Sequence, residues 1–95
     1  MRVGERLEFA ALKCLTKAWR NVKYRNRIEA TVWDYEFHGP DGNTYYYSGS
    51  YKNISPGHVV NATATVTWIS KAGTHIRLKR PQFSFPTLAQ TDLFR

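Results

Sequence analysis

One stretch of the sequence decides the fold: RIEATVWDYEFHGPDGNTYYYSGS, residues 27–50. Its aromatic residues lie on both sides of a Gly/Pro/Asp/Asn turn: Trp33, Tyr35 and Phe37 before it, Tyr45 to Tyr47 after it. Aromatic residues alternating around such a turn are typical of a β-hairpin. The five-residue loop 39–43 sets two cross-strand pairs: Phe37 with Tyr45, and Tyr35 with Tyr47.

The aromatic face of this hairpin has two interpretations. Its rings are Trp33, Tyr35, Phe37, Tyr45 and Tyr47. They are either a platform on which bases stack or the core itself. The core is favoured, because burying large aromatic side chains is the main stabilising contribution available to a small chain. The opposite face would then carry two carboxylates, Asp34 and Glu36, which repel phosphate.

In the first strand of the hairpin, two sets of apolar residues fall on opposite faces. Ala30 and Val32 alternate out of phase with Trp33 and Tyr35. Both sets can face inward only if a bulge near Val32–Trp33 shifts the register. We therefore expect an irregularity there.

Residues 5–18 fit either of two elements. As a helix they would place Leu7, Ala11 and Cys14 on one stripe. As a strand they would alternate through Phe9 and Ala11 and then shift to Leu12 and Cys14 after a bulge. The strand is favoured because the rest of the chain reads as β-structure.

The alternation of apolar and polar residues is clearest in two segments of the carboxyl-terminal half, residues 58–69 and 74–80. In residues 58–69, Val60, Ala62, Ala64, Val66 and Trp68 share one face. Asn61 and the intervening threonines share the other, as in a half-solvated antiparallel sheet. In residues 74–80, Ile76 and Leu78 face inward, and Pro81 is expected to end that strand.

Five strands follow from these patterns: residues 6–18, 27–38, 43–50, 58–69 and 74–80. Their order predicts an all-β, five-stranded, OB-like Greek-key barrel, with an SH3-like barrel as the alternative. The helix between the third and fourth strands would be short or absent, at residues 51–57. Loops 19–26 and 70–74 would flank a groove on the second and third strands. The barrel domain spans 1–81 and a tail spans 82–95.

A resemblance points the same way. The residues Tyr35, Phe37, Asp41-Gly-Asn-Thr-Tyr45, Thr63, Val66 and Gly73 to Pro81 carry it. Over about residues 27–81 the chain resembles short OB-type domains of phage and mobile-element DNA-handling proteins. The resemblance implies an OB-like barrel and contact with single-stranded nucleic acid, without identifying individual contact residues.

The charge of the chain favours a polyanionic partner. Its 95 residues contain 14 Lys and Arg against 7 Asp and Glu, a net charge of +7. Cations neutralise phosphates, and rings stack on unpaired bases. The candidate nucleic-acid-binding residues are Lys17, Trp19, Arg20, Lys23, Tyr24, Arg25, Arg27, Tyr46, Lys52, Lys71, Arg77 and Lys79. The predicted ligand is single-stranded DNA, bound with little sequence preference.

Other classes of function have little support in the sequence. There is no glycine-rich phosphate loop, GxSxG or HExxH motif, so no enzyme, catalytic residue or cofactor is predicted. Cys14 and the three histidines lack the close pairing of zinc ligands, so no metal is expected.

The alternative function is a small phage-type protein-interaction module or an inhibitor of a nucleic-acid enzyme. It would bind a protein partner, or a second copy, through the apolar residues of the 82–95 tail: Phe83, Phe85, Leu93 and Phe94. A single cysteine and the absence of a signal-peptide pattern or a long apolar run predict a cytoplasmic protein without a membrane partner.

Overall fold

The chain forms a closed five-stranded β-barrel. The computed structural model describes residues 1–86, apart from the side chains of Tyr24, Ile28 and Glu29. The strands are β1 (Arg6–Tyr24), β2 (Arg27–His38), β3 (Thr44–Gly49), β4 (Val59–Ile69) and β5 (His75–Ser84). They close in the order β1-β2-β3-β5-β4, with β3 and β5 parallel and the other pairs antiparallel. Residues 1–86 contain no helix, so the predicted all-β, OB-like barrel with no helix between β3 and β4 is confirmed.

The predicted hairpin has the expected register. Phe37 pairs with Tyr45 and Tyr35 pairs with Tyr47 across the loop 39–43. In that loop the Tyr45 hydroxyl donates to Asp41 Oδ2 at 2.5 Å, and the Asn43 N–H donates to Oδ1 at 3.0 Å. Burial alone would raise the pKa of Asp41, but these hydrogen bonds outweigh it and lower that pKa. Burial, reinforced by Asp41, raises the pKa of Tyr45 to about 12.

The aromatic face of the hairpin is the core. Tyr35, Phe37, Tyr45 and Tyr47 are all buried, and Trp33 packs at the edge of the cluster. The Tyr35 and Tyr47 rings stack with centroids 6.0 Å apart. Burial leaves these rings inaccessible to bases, so the core interpretation is correct and the stacking-platform interpretation is wrong for the buried four.

The amino-terminal segment is a strand with a bulge, as expected, although Ala11 lies within the bulge and is exposed instead of facing inward. Its register with β4 jumps from Phe9 opposite Ala62 to Leu12 opposite Val60. Ala11 lies inside the jump with a φ of 57°, and its N–H donates to Asn61 Oδ1 at 3.0 Å. This positive φ lets both Phe9 and Leu12 point into the barrel.

Residues 18–32 leave the barrel as a two-stranded ribbon, which we call the arm. β4 pairs with β1 from Arg6 to Lys13, and β3 pairs with β2 from Trp33 to His38. Beyond those limits β1 and β2 pair only with each other within residues 1–86. The prediction of a loop at 19–26 is therefore wrong. Residues 19–24 are strand, and only Arg25 and Asn26, with φ of 53° and 64°, make the turn.

The expected bulge near Val32–Trp33 is also wrong. The β1–β2 register runs without a shift from Lys17 opposite Tyr35 to Val22 opposite Ala30. The physical reason is the arm, because Ala30 and Val32 lie outside the barrel and have no core to face.

Two details of the carboxyl-terminal hairpin differ from expectation. A register shift between Val66 and Trp68 turns Trp68 outward, where it is 44% exposed. β5 runs past Pro81 to Ser84. Arg80 and Pro81 lie where the register with β4 shifts, and at such an irregularity the missing N–H of proline breaks no regular hydrogen bond between the strands. Three residues assigned to the tail are therefore strand, and residues 87–95 of that tail lie outside the described residues.

Among residues 1–86 no helix is long and apolar enough to cross a membrane.

Candidate nucleic-acid interface

A row of rings crosses the outer surface of the barrel. Arg77 of β5 lies opposite Tyr46 of β3 on one side and Trp68 of β4 on the other. His75 precedes Arg77 by two residues on the same face. We call Tyr46, Trp68, His75 and Arg77 the stacked row.

Its members hold one another in place. The Arg77 guanidinium carbon lies 5.8 Å from the Trp68 ring centroid and 5.9 Å from that of Tyr46. The Tyr46 and His75 rings stack at 5.9 Å with an interplanar angle of 17°, and Tyr46 Oη lies 2.9 Å from His75 Nδ1. A guanidinium between two rings gains cation–π attraction to both. The row is therefore an ordered strip of π-faces with a cation at its centre.

Two carboxylates lie beside the stacked row on β2. Asp34 accepts hydrogen bonds from Ser48 at 2.5 Å and from Arg20 Nε at 3.0 Å. These contacts, Ser48 first, lower the pKa of Asp34 and compensate its charge. Glu36 lies opposite Tyr46 and is half-buried. The charge problem seen in the sequence is therefore reduced at Asp34, whereas Glu36 stays next to the row.

Further cations lie at the two ends of this surface. Lys79 is exposed on β5, two residues beyond Arg77, and Lys71 is exposed in the turn 70–74. That turn adjoins the start of β3, because the Thr44 N–H donates to the Thr74 carbonyl at 2.8 Å. Since β2 and β3 are antiparallel, the arm leaves from the other end of the strands. The outer surface thus lies between the turn 70–74 and the arm.

Two other predicted residues lie at the base of the arm, on the face of β1 that continues the inner side of the barrel: Lys17, just before the arm, and Trp19. Lys17 Nζ lies 4.8 Å from the Trp33 ring centroid and donates to the Lys52 carbonyl at 2.6 Å. Trp19 lies opposite Trp33 and is 60% exposed. Lys17 therefore ties the segment between β3 and β4 to the base of the arm, and Trp19 offers a ring to solvent.

Four further predicted cations lie on the arm. Lys23, Arg25 and Arg27 are exposed at its tip. Arg20 lies closer to the barrel and is paired with Asp34. The side chain of Tyr24 lies outside the described residues.

The predicted residues thus lie in several places: Tyr46 and Arg77 in the stacked row, Lys71 and Lys79 at the ends of the outer surface, Lys17 and Trp19 at the base of the arm, Arg20 on the arm, Lys23, Arg25 and Arg27 at its tip, and Lys52 between β3 and β4. Tyr46 and Arg77 are in direct contact. Sequence reasoning missed Trp68 and His75, which complete the row. The exposed position of His75 was visible in the alternation of β5, but nothing in the sequence signals the register shift that turns Trp68 outward.

The alternative site at the tail loses part of its basis. Phe83 is half-buried, and its ring centroid lies 4.9 Å from Tyr51 and 5.6 Å from Tyr47. Phe85 is 48% exposed beside His58. Leu93 and Phe94 lie outside the described residues. Phe83 therefore packs against the rings of the barrel core, and among residues 82–86 the exposed large apolar side chain is Phe85.

Comparisons of the chain with protein-family models, with curated proteins and with solved structures find no match. The resemblance to OB-type domains of phage and mobile-element proteins therefore stays a prediction.

Proposed function

We propose that this protein binds single-stranded DNA on the outer surface of its barrel, with little preference for sequence. The observation that carries the proposal is the stacked row, in which Arg77 is held between Trp68 and Tyr46. A strip of rings in which Trp68 and His75 are exposed and Arg77 supplies a cation matches the repeating chemistry of a single strand, which alternates π-faces with phosphates.

Each part of the row has a role in this proposal. Trp68 presents the larger exposed ring, on which an unpaired base stacks. Arg77 fixes the orientation of that ring and supplies positive charge to a phosphate. Lys79 and Lys71 extend the positive surface along the path of the strand. Every base has a π-face, so such a site tolerates any sequence.

The proposal predicts separable effects of rings and charges. Stacking on an aromatic side chain contributes about 1–3 kcal/mol per base, so Trp68→Ala should weaken binding by about 5- to 150-fold. Arg77→Gln should also reduce the slope of log affinity against log salt by about 0.7, because one phosphate contact is lost. Lys13→Gln removes an exposed charge elsewhere on β1. It should leave the contribution of base stacking on Trp68 to the binding affinity unchanged.

Fluorescence anisotropy with a labelled oligothymidylate across a salt series makes the measurement. Failure of the wild-type protein to bind at about 50 mM salt, where phosphate contacts are strong, would overturn the proposal. Equal losses for Trp68→Ala and Lys13→Gln would move the site away from the stacked row.

A further inference from the structure

The described side chains of the arm are exposed, apart from Val32, which is half-buried. The β1 strand of the arm is exposed from Ala18 to Lys23, and Ala30 and Thr31 are exposed on β2. Within residues 1–86 neither outer edge of the arm has a strand beside it. A two-stranded ribbon is only marginally stable in water without a third element to pack on. The arm is therefore costly to maintain as a bare projection, which points to an occupant.

The charge of the arm selects that occupant. Residues 18–32 contain four cations, Arg20, Lys23, Arg25 and Arg27, and one acidic residue, Glu29, a net charge of +3 (4 − 1). A second copy of the chain would bring the same charge against it. A polyanion is attracted instead.

The shape of the arm selects a duplex. Two paired strands are about 5 Å apart, so with side chains the ribbon is about 10 Å wide and fits a B-DNA major groove about 12 Å wide. Seven residues on β1, from Ala18 to Tyr24, reach about 20 Å along the groove. The major groove of A-form RNA is deep and narrow, and protein side chains cannot read it.

One face of the arm continues the outer surface of the barrel. Val22 lies opposite Ala30, and Arg20 lies opposite Val32 and bonds Asp34 on the barrel. Small apolar side chains on this face allow close approach to the floor of a groove, where they contact thymine methyl groups. A DNA strand that leaves the groove along this face reaches the stacked row past Asp34, whose charge Arg20 and Ser48 compensate, and past the half-buried Glu36.

We propose that the arm lies in the major groove of a B-form DNA duplex adjoining the single strand, so that the protein recognises a junction of double- and single-stranded DNA. This inference rests on the proposed binding of a single strand by the stacked row. The cations at the arm tip contact duplex phosphates, and the barrel holds the unpaired tail.

The test compares four labelled probes by anisotropy: an oligothymidylate tail, the same tail joined to about one turn of DNA duplex, the tail joined to an RNA duplex, and the blunt DNA duplex. The tailed DNA duplex should bind on the order of tenfold more tightly than the tail alone, since each added duplex phosphate contact contributes a counterion-release gain. The RNA duplex should add little to the affinity of the tail.

Two sets of variants separate the arm from the row. Lys23→Gln with Arg27→Gln should abolish the gain from the DNA duplex and leave tail binding unchanged. Arg2→Gln with Lys13→Gln removes the same charge from exposed positions outside the arm and should keep the gain. Trp68→Ala should weaken tail binding and keep the gain. Lys23→Arg with Arg27→Lys should behave as the wild type, and unchanged far-UV circular dichroism verifies folding.

The outcomes distinguish this inference from the proposed function. Equal affinity for the tail and the tailed DNA duplex, or an equal gain from RNA, would overturn the role of the arm while single-strand binding stands. Absence of tail binding together with tighter binding of the blunt DNA duplex than of the tailed RNA duplex would overturn the role of the stacked row, and with it recognition of a junction, while supporting the groove contact of the arm.

Discussion

Strands β1 and β2 run through both the barrel and the arm, yet their side chains are buried in one region and exposed in the other. Along β2, Tyr35 and Phe37 are buried, whereas Ala30 and Thr31 a few residues earlier are exposed. The strand pairing between β1 and β2 continues through both regions. What changes is the presence of a third and fourth strand. Hydrogen bonding between two strands makes a ribbon, but only closure gives that ribbon an inside.

The first prediction sets a core residue against an arm residue. Phe37→Ala should lower the free energy of unfolding by about 3–5 kcal/mol, because Phe37 is fully buried in the barrel. Trp19→Ala removes a larger ring from the arm and should cost less than about 0.5 kcal/mol. Urea unfolding followed by far-UV circular dichroism measures both. Similar losses would mean that the arm packs against the protein more than its exposure indicates.

The second prediction concerns alkaline pH and belongs to the barrel alone. The pKa of Tyr45 is raised to about 12 by burial and by Asp41. The folded-state pKa lies above the unfolded value of 10.0. The contribution of the protonated Tyr45 hydroxyl to the free energy of unfolding is therefore complete below pH 10 and is lost as pH rises towards 12. The wild-type protein should therefore lose about 2 kcal/mol more than Tyr45→Phe between about pH 9 and pH 12. Parallel curves for the two proteins would show that the hydroxyl titrates normally.

The third prediction tests the joint between the two regions and has the smallest expected effect. Arg20 and Asp34 form an exposed ion pair at 3.0 Å, which should contribute about 0.2–1 kcal/mol at low salt and less at high salt. A double-mutant cycle with Arg20→Gln and Asp34→Asn measures that coupling.

Acid conditions add a check on the same joint. The pKa of Asp34 is lowered, so its contribution is present above the unfolded pKa and is lost as pH falls through the folded one. Asp34→Asn should not show that loss. If the coupling between Arg20 and Asp34 in the double-mutant cycle does not change with salt, the ion pair is shielded from solvent.

The sequence predicted the barrel well because local rules governed it. Turn chemistry at residues 39–43 fixed the register of Phe37 and Tyr45, and alternation identified the buried positions of β4 up to Val66. The β1 bulge was also predictable, since Phe9 and Leu12 are both apolar and an odd number of residues apart. In each case one face of a strand had to be buried, which constrains register strongly.

The arm and the stacked row were less predictable for a related reason. Residues 19–24 are cationic and lack a buried face, so their composition resembles a loop although their backbone is paired. Trp68 continued the alternation of β4 and appeared inward, but a register shift next to the turn 70–74 exposes it. The alternation of apolar and polar residues along a strand does not show where its pairing with adjacent strands ends.

The sequence by itself determined the all-β class, the central hairpin and the positive charge, because strand propensity, turn residues and ionisable groups act locally. The tertiary structure decided which cations and rings lie together. Arg77 meets Tyr46 and Trp68 only because β3, β5 and β4 are neighbours in the closed barrel. The arm exists only because β3 and β4 end their pairing before residues 18–32. Both outcomes depend on contacts between distant parts of the chain, which no local pattern encodes.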